Sequence, residues 1–142
     1  MEYSEQAQDL FAVPESYSLA HCISADAEMG AGIAKAFASR FPELSILKEA
    51  APENKVGSCI RVGRVLNLIT KEKYWQKPTY ESVESALQSM LSVCKAEGIK
   101  KVAMPRIGSG LDKLDWPKVS ALIQKVFTGS GVEILVCVKL EK

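Results

Sequence analysis

The sequence predicts an α/β sandwich of three layers, with helices on both faces of a mixed central sheet. Three observations carry that expectation. Apolar strand-like runs alternate with helix-period stretches, the order that builds a sheet between helices. Ser58-Cys59-Ile60-Arg61-Val62 and Val65-Leu66-Asn67-Leu68-Ile69-Thr70 flank Gly63-Arg64, a hairpin signal, which makes the sheet mixed and not purely parallel. Two glycine-containing turns, at 29–33 and 108–111, each sit between a strand-like run and a helix-like one. A chain of 142 residues is read most simply as one domain, 1–142, long enough for a sizeable core.

In chain order, residues 4–8 are polar and make a poor strand, and Asp9-Leu10-Phe11-Ala12-Val13-Pro14 is a short apolar run stopped by proline. Residues 19–24 form a better strand. From Glu28 a glycine turn leads into a helix that carries Ile33, Phe37 and Phe41 four apart on one face, and Pro42 and the residues beyond it end that helix. Residues 52–58 read as loop, and 71–78 as a polar loop bearing Tyr74 and Trp75. From Thr79 the pattern is helical, with Val83, Leu87, Met90, Leu91 and Cys94 on one stripe and Gly98 closing it. Thr79, Glu81 and Ser82 all offer capping oxygens at its start. A short strand, 99–105, runs into the glycine-rich turn 106–112. A helix follows from Pro117 to Phe127, then a turn at Gly129-Ser130-Gly131 and a last, apolar strand over 132–138.

Composition excludes several classes. Eighteen basic residues against 17 acidic give a net charge of +1, which argues against a broad nucleic-acid-binding face while leaving room for a local basic rim. No stretch approaches the roughly 20 apolar residues of a membrane span. The start, Met1-Glu2-Tyr3-Ser4-Glu5, lacks a signal peptide's basic and apolar regions, so the expected location is the cytoplasm, or also the nucleus in a eukaryote. Cys22, Cys59, Cys94 and Cys137 are scattered without a C-x-x-C pair and read as buried thiols, not as a zinc site or disulfide framework. With one histidine and no clustered carboxylates at ligand spacing, neither metal nor cofactor is expected. Near-neutral charge and the absence of heptads point to a monomer.

The two glycine turns carry the chemistry. A strand that runs through glycines into a helix can bring bare backbone N–H groups to a phosphate, although the same pattern also serves as a tight β-to-α turn. Neither turn matches the P-loop, for no lysine-serine or lysine-threonine pair follows, and neither matches G-x-G-x-x-G. Two cradles without a kinase apparatus suit a diphosphate-bridged nucleotide better than a transferred γ-phosphate.

Four segments in order, Asp9-Leu10-Phe11, Ala20-His21-Cys22-Ile23-Ser24, Met29-Gly30-Ala31-Gly32-Ile33-Ala34 and Pro105-Arg106-Ile107-Gly108-Ser109-Gly110-Leu111-Asp112, resemble a macrodomain, a fold that binds ADP-ribose. A fifth, Leu68-Ile69-Thr70-Lys71 followed by Lys77-Pro78-Thr79-Tyr80, resembles the terminal ADP-ribose protein glycohydrolase branch. The resemblance implies that Asp9 meets the adenine amino group with Phe11 around it, that Ser24 and the Met29–Ile33 turn lie near the distal ribose and diphosphate, and that Leu10 and His21 are also ligand-binding residues. It implies that the loop from Pro105 and Arg106 through Ile107, Gly108, Ser109, Gly110 and Leu111 holds the diphosphate by its backbone. It assigns catalysis to Lys71, as nucleophile on the anomeric carbon, and to Asp112, as base. The implied activity is metal-independent removal of mono-ADP-ribose from glutamate or aspartate acceptors, and from O-acyl-ADP-ribose. The implied partners are ADP-ribose and ADP-ribosylated protein. ADP-ribosylated DNA stays open as a substrate, as do a non-catalytic ADP-ribose reader and a phosphatase of ADP-ribose 1″-phosphate.

Blander readings stand beside these. Lys71 at a strand end can be a solvated charge, Asp112 a helix cap, Asp9 a turn residue, and His21 a hydrogen-bonded interior histidine. Tyr74, Trp75 and Tyr80 can stack on a base, yet packing over a loop is the commoner use of such aromatics. Trp116 is expected beneath the central turn. Where the family usually has glycine before Asp9, this chain has Gln8, and the few residues ahead of it predict a shortened or absent first strand.

Overall fold

The computed structural model describes residues 2–49, 54–110 and 112–139. Its strands are β1 (Tyr3–Ala7), β2 (Ser18–Ser24), β3 (Cys59–Val62), β4 (Val65–Lys71), β5 (Lys101–Met104) and β6 (Glu133–Val138). Its helices are α1 (Gly32–Arg40), α2 (Ile46–Glu49), α3 (Tyr80–Glu97) and α4 (Trp116–Phe127), with 3-10 turns at Leu10–Ala12 and Pro42–Ser45. The strands form one sheet in the order β1-β6-β5-β2-β4-β3, and only β3 runs antiparallel to its neighbour. This is the mixed sheet that the hairpin signal predicts.

Alternation along the strands feeds two cores. Ala20, Leu66, Leu68, Ile134 and Val136 point to one face, where α3 and α4 cover them with Val83, Leu87, Met90, Ile123 and Phe127. Leu19, Ile23, Val65, Ile69 and Leu135 point to the other, under α1, α2 and the 3-10 turns with Phe37, Leu44, Leu47 and Leu10. Helix α3 starts in a reciprocal capping box: Thr79 Oγ1 accepts the Ser82 N–H at 3.0 Å, and Ser82 Oγ accepts the Thr79 N–H at 3.0 Å. It stops at Gly98, whose φ of 68° is the left-handed conformation that glycine adopts cheaply.

Two expectations need correction. The polar segment near the start is a strand, because β1 lies at the sheet edge and pairs in parallel with β6 from Tyr3↔Ile134 to Ala7↔Val138. An edge strand gains its backbone ladder while its side chains stay in water, so alternation is not required of it. Helix α1 ends at Arg40, before Pro42, as expected, and a 3-10 turn and α2 beyond it carry Leu44 and Leu47 into the core. Of the four thiols, Cys94 and Cys137 are buried, but Cys22 and Cys59 are only half-buried. Of the loop expected at 52–58, residues 52 and 53 lie outside the described residues, as does Leu111 of the glycine-rich turn. Among the described residues no helix is long and apolar enough to cross a membrane.

Candidate active site

Parallel strands β5, β2 and β4 lie side by side, so their carboxyl ends and the loops that leave them gather at one edge of the sheet. Ser24, the last residue of β2, stands opposite Lys71, the last of β4. The loop leaving β5 returns to the same point. Lys71 Nζ donates to Asp112 Oδ1 at 2.6 Å, and both side chains are about six-sevenths enclosed, with 14% and 15% exposed. Two residues 41 apart in sequence thus form a charge-assisted pair over the end of the sheet. Asp112 is not a helix cap: Asp115 holds that position before α4.

The sheet end is laced from below. The Ala25 N–H donates to Lys71 O at 2.8 Å and the Asp26 N–H to Glu72 O at 3.2 Å, which extends the β2–β4 pairing into the loops. Ser24 Oγ donates to Asp26 Oδ1, which also accepts the Glu28 N–H at 3.2 Å, and Asp26 Oδ2 takes the Tyr74 N–H at 3.2 Å. Burial pushes the Asp26 carboxyl up, but these donors and the Lys73 charge outweigh it and leave the pKa lowered, so Asp26 works as a carboxylate. One side chain therefore ties the start of the first glycine turn to the loop that follows Lys71. The sequence reading missed it; the only signal was an acid two residues after the strand-end serine.

Cys22 lies beside the pair, and burial together with the nearby Asp112 charge pushes its thiol up to about 12. A protonated thiol does not compete as a nucleophile. The glycine-rich loop is closed by the Leu114 N–H on Gly108 O at 2.7 Å, with Gly108 at φ 73°, and Ile107 turns its side chain into the core below. A Cβ built at Gly110 or at Gly30 would meet no atom within 4 Å, so both glycines border open space. Met29 is half-buried, Gly30, Ala31 and Gly32 are exposed, and Ile33 is exposed at the first turn of α1.

Other residues singled out by sequence fall elsewhere. His21 is sealed in the core: its ring stacks on Phe37 at 3.9 Å, and Nε2 meets Asn67 Oδ1 at 2.7 Å. Leu10 is likewise a core residue, and Arg106 is drawn off to Glu5 at 3.5 Å and to the Trp116 ring. His21 is held against Phe37, Leu10 is carried into the same core by its 3-10 turn, and Arg106 is held by the edge-strand carboxylate. Asp9 caps its 3-10 turn by accepting the Phe11 N–H at 3.0 Å, and Phe11 meets Phe37 edge-on at 5.0 Å. Pro105 and Ser109 are half-buried in the loop. Tyr74 and Trp75 do not pack over their loop, as expected of them, but stand 60% and 68% exposed. Beside Lys71, between the end of β4, the loop after it and the start of α3, opens a cleft of about 540 Å³ lined by Val56, Thr70, Lys71, Glu72, Trp75, Gln76, Lys77, Thr79 and Ser82.

A Macro domain family model matches residues 20–123. The chain is 45% identical over 130 residues to the human ADP-ribose glycohydrolase OARD1, covering 90% of this chain and 86% of that protein. It is 27% identical over 125 residues to the DNA ADP-ribosyl glycohydrolase of Mycobacterium tuberculosis, covering 80% of this chain and 35% of that one. Among solved structures, the macrodomain of Mycobacterium tuberculosis DarG superposes with a TM-score of 0.88 at 21% identity, over 98% of both chains. Thermosipho africanus DarTG, solved in complex with ADP-ribose, gives 0.81 at 22% identity over 99% of this chain and 42% of that one.

Proposed function

This chain belongs to the macrodomain family and, with OARD1 as its relative across most of both lengths, is an ADP-ribose glycohydrolase; we propose that Lys71 is its nucleophile and Asp112 its base. The acceptors are carboxylates, in glutamate or aspartate side chains of protein and in O-acyl-ADP-ribose. The observation that carries this reading is the 2.6 Å contact between Lys71 and Asp112 at the strand ends.

An amine attacks only as the free base, and the reference pKa of lysine is near 10.4. A proton must therefore leave Lys71 first, and Asp112 Oδ1 lies on its path. The Nζ lone pair then bonds to the anomeric carbon of the distal ribose. The bond from that carbon to the acceptor oxygen breaks, and the acceptor leaves as a carboxylate with the electron pair. Asp112 returns its proton to solvent and takes one from water, which attacks the same carbon. The carbon–nitrogen bond breaks, Lys71 is restored as an amine, and ADP-ribose departs. A carboxylate is a good leaving group without protonation, so one lysine and one aspartate suffice. The two glycine turns supply the diphosphate with backbone N–H groups, and Asp9 with Phe11 takes the adenine end.

The test compares wild type with Lys71→Ala and Asp112→Ala on a peptide carrying glutamate-linked mono-ADP-ribose. Each substitution is expected to slow turnover by at least about a hundredfold, the range for a lost acid–base or nucleophilic group. ADP-ribose binding, followed by calorimetry, stays within a few-fold of wild type. Mass spectrometry of reduced reaction mixtures should find the ADP-ribose adduct on Lys71. Full turnover in Lys71→Ala would sink the assignment.

A further inference from the structure

We propose that Asp26 is a positioning residue for the reaction: its carboxylate locks the backbone that carries Lys71 to the start of the first glycine turn, and turnover depends on that lock. This rests on the reading of Lys71 and Asp112 given above and adds a group that acts through Lys71 without touching the substrate.

Lys71 carries its amine on a long, flexible stem, so the amine is placed only as well as the backbone beneath it. Lys71 is also the last residue of β4, where the strand ends. The structure holds that backbone on both sides. Before it, Ser82 Oγ donates to Thr70 O at 2.7 Å. At it, the Ala25 N–H donates to Lys71 O at 2.8 Å. After it, Asp26 acts twice: its N–H donates to Glu72 O at 3.2 Å, and its Oδ2 accepts the Tyr74 N–H at 3.2 Å. The turn beyond is closed on itself through Lys73 and Gln76, and the Asp26 side chain is what joins that turn to the end of β2.

The other oxygen serves the other loop. Asp26 Oδ1 accepts from Ser24 Oγ and from the Glu28 N–H at 3.2 Å. The second bond spans Ala27, a buried alanine at φ 57°. A residue with a Cβ keeps that conformation only where its surroundings hold it, and here the holding group is the Asp26 side chain. The chain bent at this point goes on into the turn at 29–33, which the proposed mechanism gives to the diphosphate.

Chemistry selects the side chain. Two backbone N–H groups, of Glu28 and Tyr74, each need an acceptor, and a carboxylate offers one oxygen to each. Asparagine has a single oxygen, and its NH2 would face an N–H donor. It therefore satisfies one loop and repels the other at almost unchanged volume. Serine keeps the short bond to residue 28, more weakly, and does not reach Tyr74.

The test uses the full chain and the peptide with glutamate-linked ADP-ribose. Wild type, Asp26→Ser, Asp26→Asn, Lys71→Ala and the Asp26→Ser, Lys71→Ala double variant are compared in rate, ADP-ribose binding, urea midpoint and amide hydrogen exchange across 72–76. Asp26→Ser is expected to lower kcat about ten- to a hundredfold, as a displaced reactive group predicts, while KM and ADP-ribose affinity change little. Exchange across 72–76 should quicken in the same variant. Asp26→Asn should lose kcat/KM as well, and full activity there would overturn the proposal, since the carboxylate would not be needed. In the Lys71→Ala background Asp26→Ser should add less than about a twofold loss, because no nucleophile is left to place. A full further loss in that background would overturn the proposal in favour of action elsewhere. Losses confined to KM and binding would overturn it in favour of a residue that only shapes the diphosphate turn. A lower urea midpoint with wild-type kcat would overturn it in favour of a purely structural role. If wild type leaves the peptide intact, or Lys71→Ala cleaves it at the full rate, the hydrolytic reading has failed and the lock is judged by exchange alone. Faster exchange across 72–76 in Asp26→Ser then supports it, and unchanged exchange overturns it.

Discussion

His21 shows how a single sealed side chain makes the fold sensitive to acid. Asn67 Nδ2 donates to Ile60 O at 2.9 Å, which fixes Oδ1 as the atom facing His21 and so places the imidazole proton on Nε2. Nδ1 has no hydrogen-bond partner among the described residues, so a second proton there would be a buried, unpaired charge. Burial accordingly lowers the His21 pKa to about 4, against the smaller opposing pull of Asn67. The unfolded chain takes that proton near pH 6.5, so unfolding binds a proton between about pH 6.5 and 4, and stability falls as pH drops through that window. Wild type is expected to lose about 2–3 kcal/mol more than His21→Gln between pH 7 and 4.5, a difference read from urea midpoints. Parallel pH curves for the two proteins would refute it. At this scale the site was legible only in part. Lys71 and Asp112 were picked out by resemblance, while their contact joins the end of β4 to a loop residue 41 positions on, which no local pattern connects. Asp26 went unnoticed because its reach to the Tyr74 N–H is set by the fold and by no local pattern.

At the scale of elements, α3 does more than cover the sheet. Ser82 Oγ, which completes the capping box by accepting from Thr79, also donates to Thr70 O at 2.7 Å, the residue before Lys71. The start of the helix and the end of β4 are therefore one hydrogen-bonded corner. Thr79→Ala removes the cap at Ser82 N and is expected to cost about 1 kcal/mol in urea denaturation. A change below about 0.3 kcal/mol would mean that another group takes over the cap. The helix start was readable, though not which of Thr79, Glu81 and Ser82 caps it nor the bond to Thr70, because capping follows side-chain type at fixed spacing, as do the Gly98 stop and the Gly63-Arg64 hairpin. Elements whose reason is tertiary were not readable. The 3-10 turn and α2 after Pro42 exist because Leu44 and Leu47 have a core to fill, a need that a run of eight residues does not announce. Tyr74 and Trp75 were misjudged for the opposite reason: sequence shows that a residue is aromatic, not whether the fold leaves anything for it to pack on.

At the scale of the molecule, the sheet is what brings distant loops to one edge, and β1 is one of its two edge strands. Among the described residues this strand alone separates β6 from solvent, and β6 carries Ile134, Leu135, Val136 and Cys137 in succession. Its hold is partly backbone, through the ladder to Val138 and the flanking bonds from Ile134 N to Glu2 O at 2.8 Å and from Gln8 N to Val138 O at 3.1 Å. It is also anchored by Tyr3, which packs on the α3–α4 core and shares a 2.6 Å hydrogen bond with Ser120 Oγ. The polar outward face of β1 makes it a tolerable edge, whereas β6 in that place would offer unpaired N–H and C=O groups along an apolar strand, a template for pairing with other chains. Deleting residues 2–7 is therefore expected to do two separable things. It should lower the urea midpoint, since the ladder and the Tyr3 anchor are lost together, and it should shift the protein toward concentration-dependent oligomers on size exclusion. Tyr3→Ala keeps the strand but drops the anchor, so it should show the first effect, at about 1–3 kcal/mol for a half-buried aromatic, without the second. Oligomers in Tyr3→Ala would mean that the side chain, and not the ladder, keeps β6 covered. A deletion variant that stays monomeric would mean that β6 is protected by something other than β1.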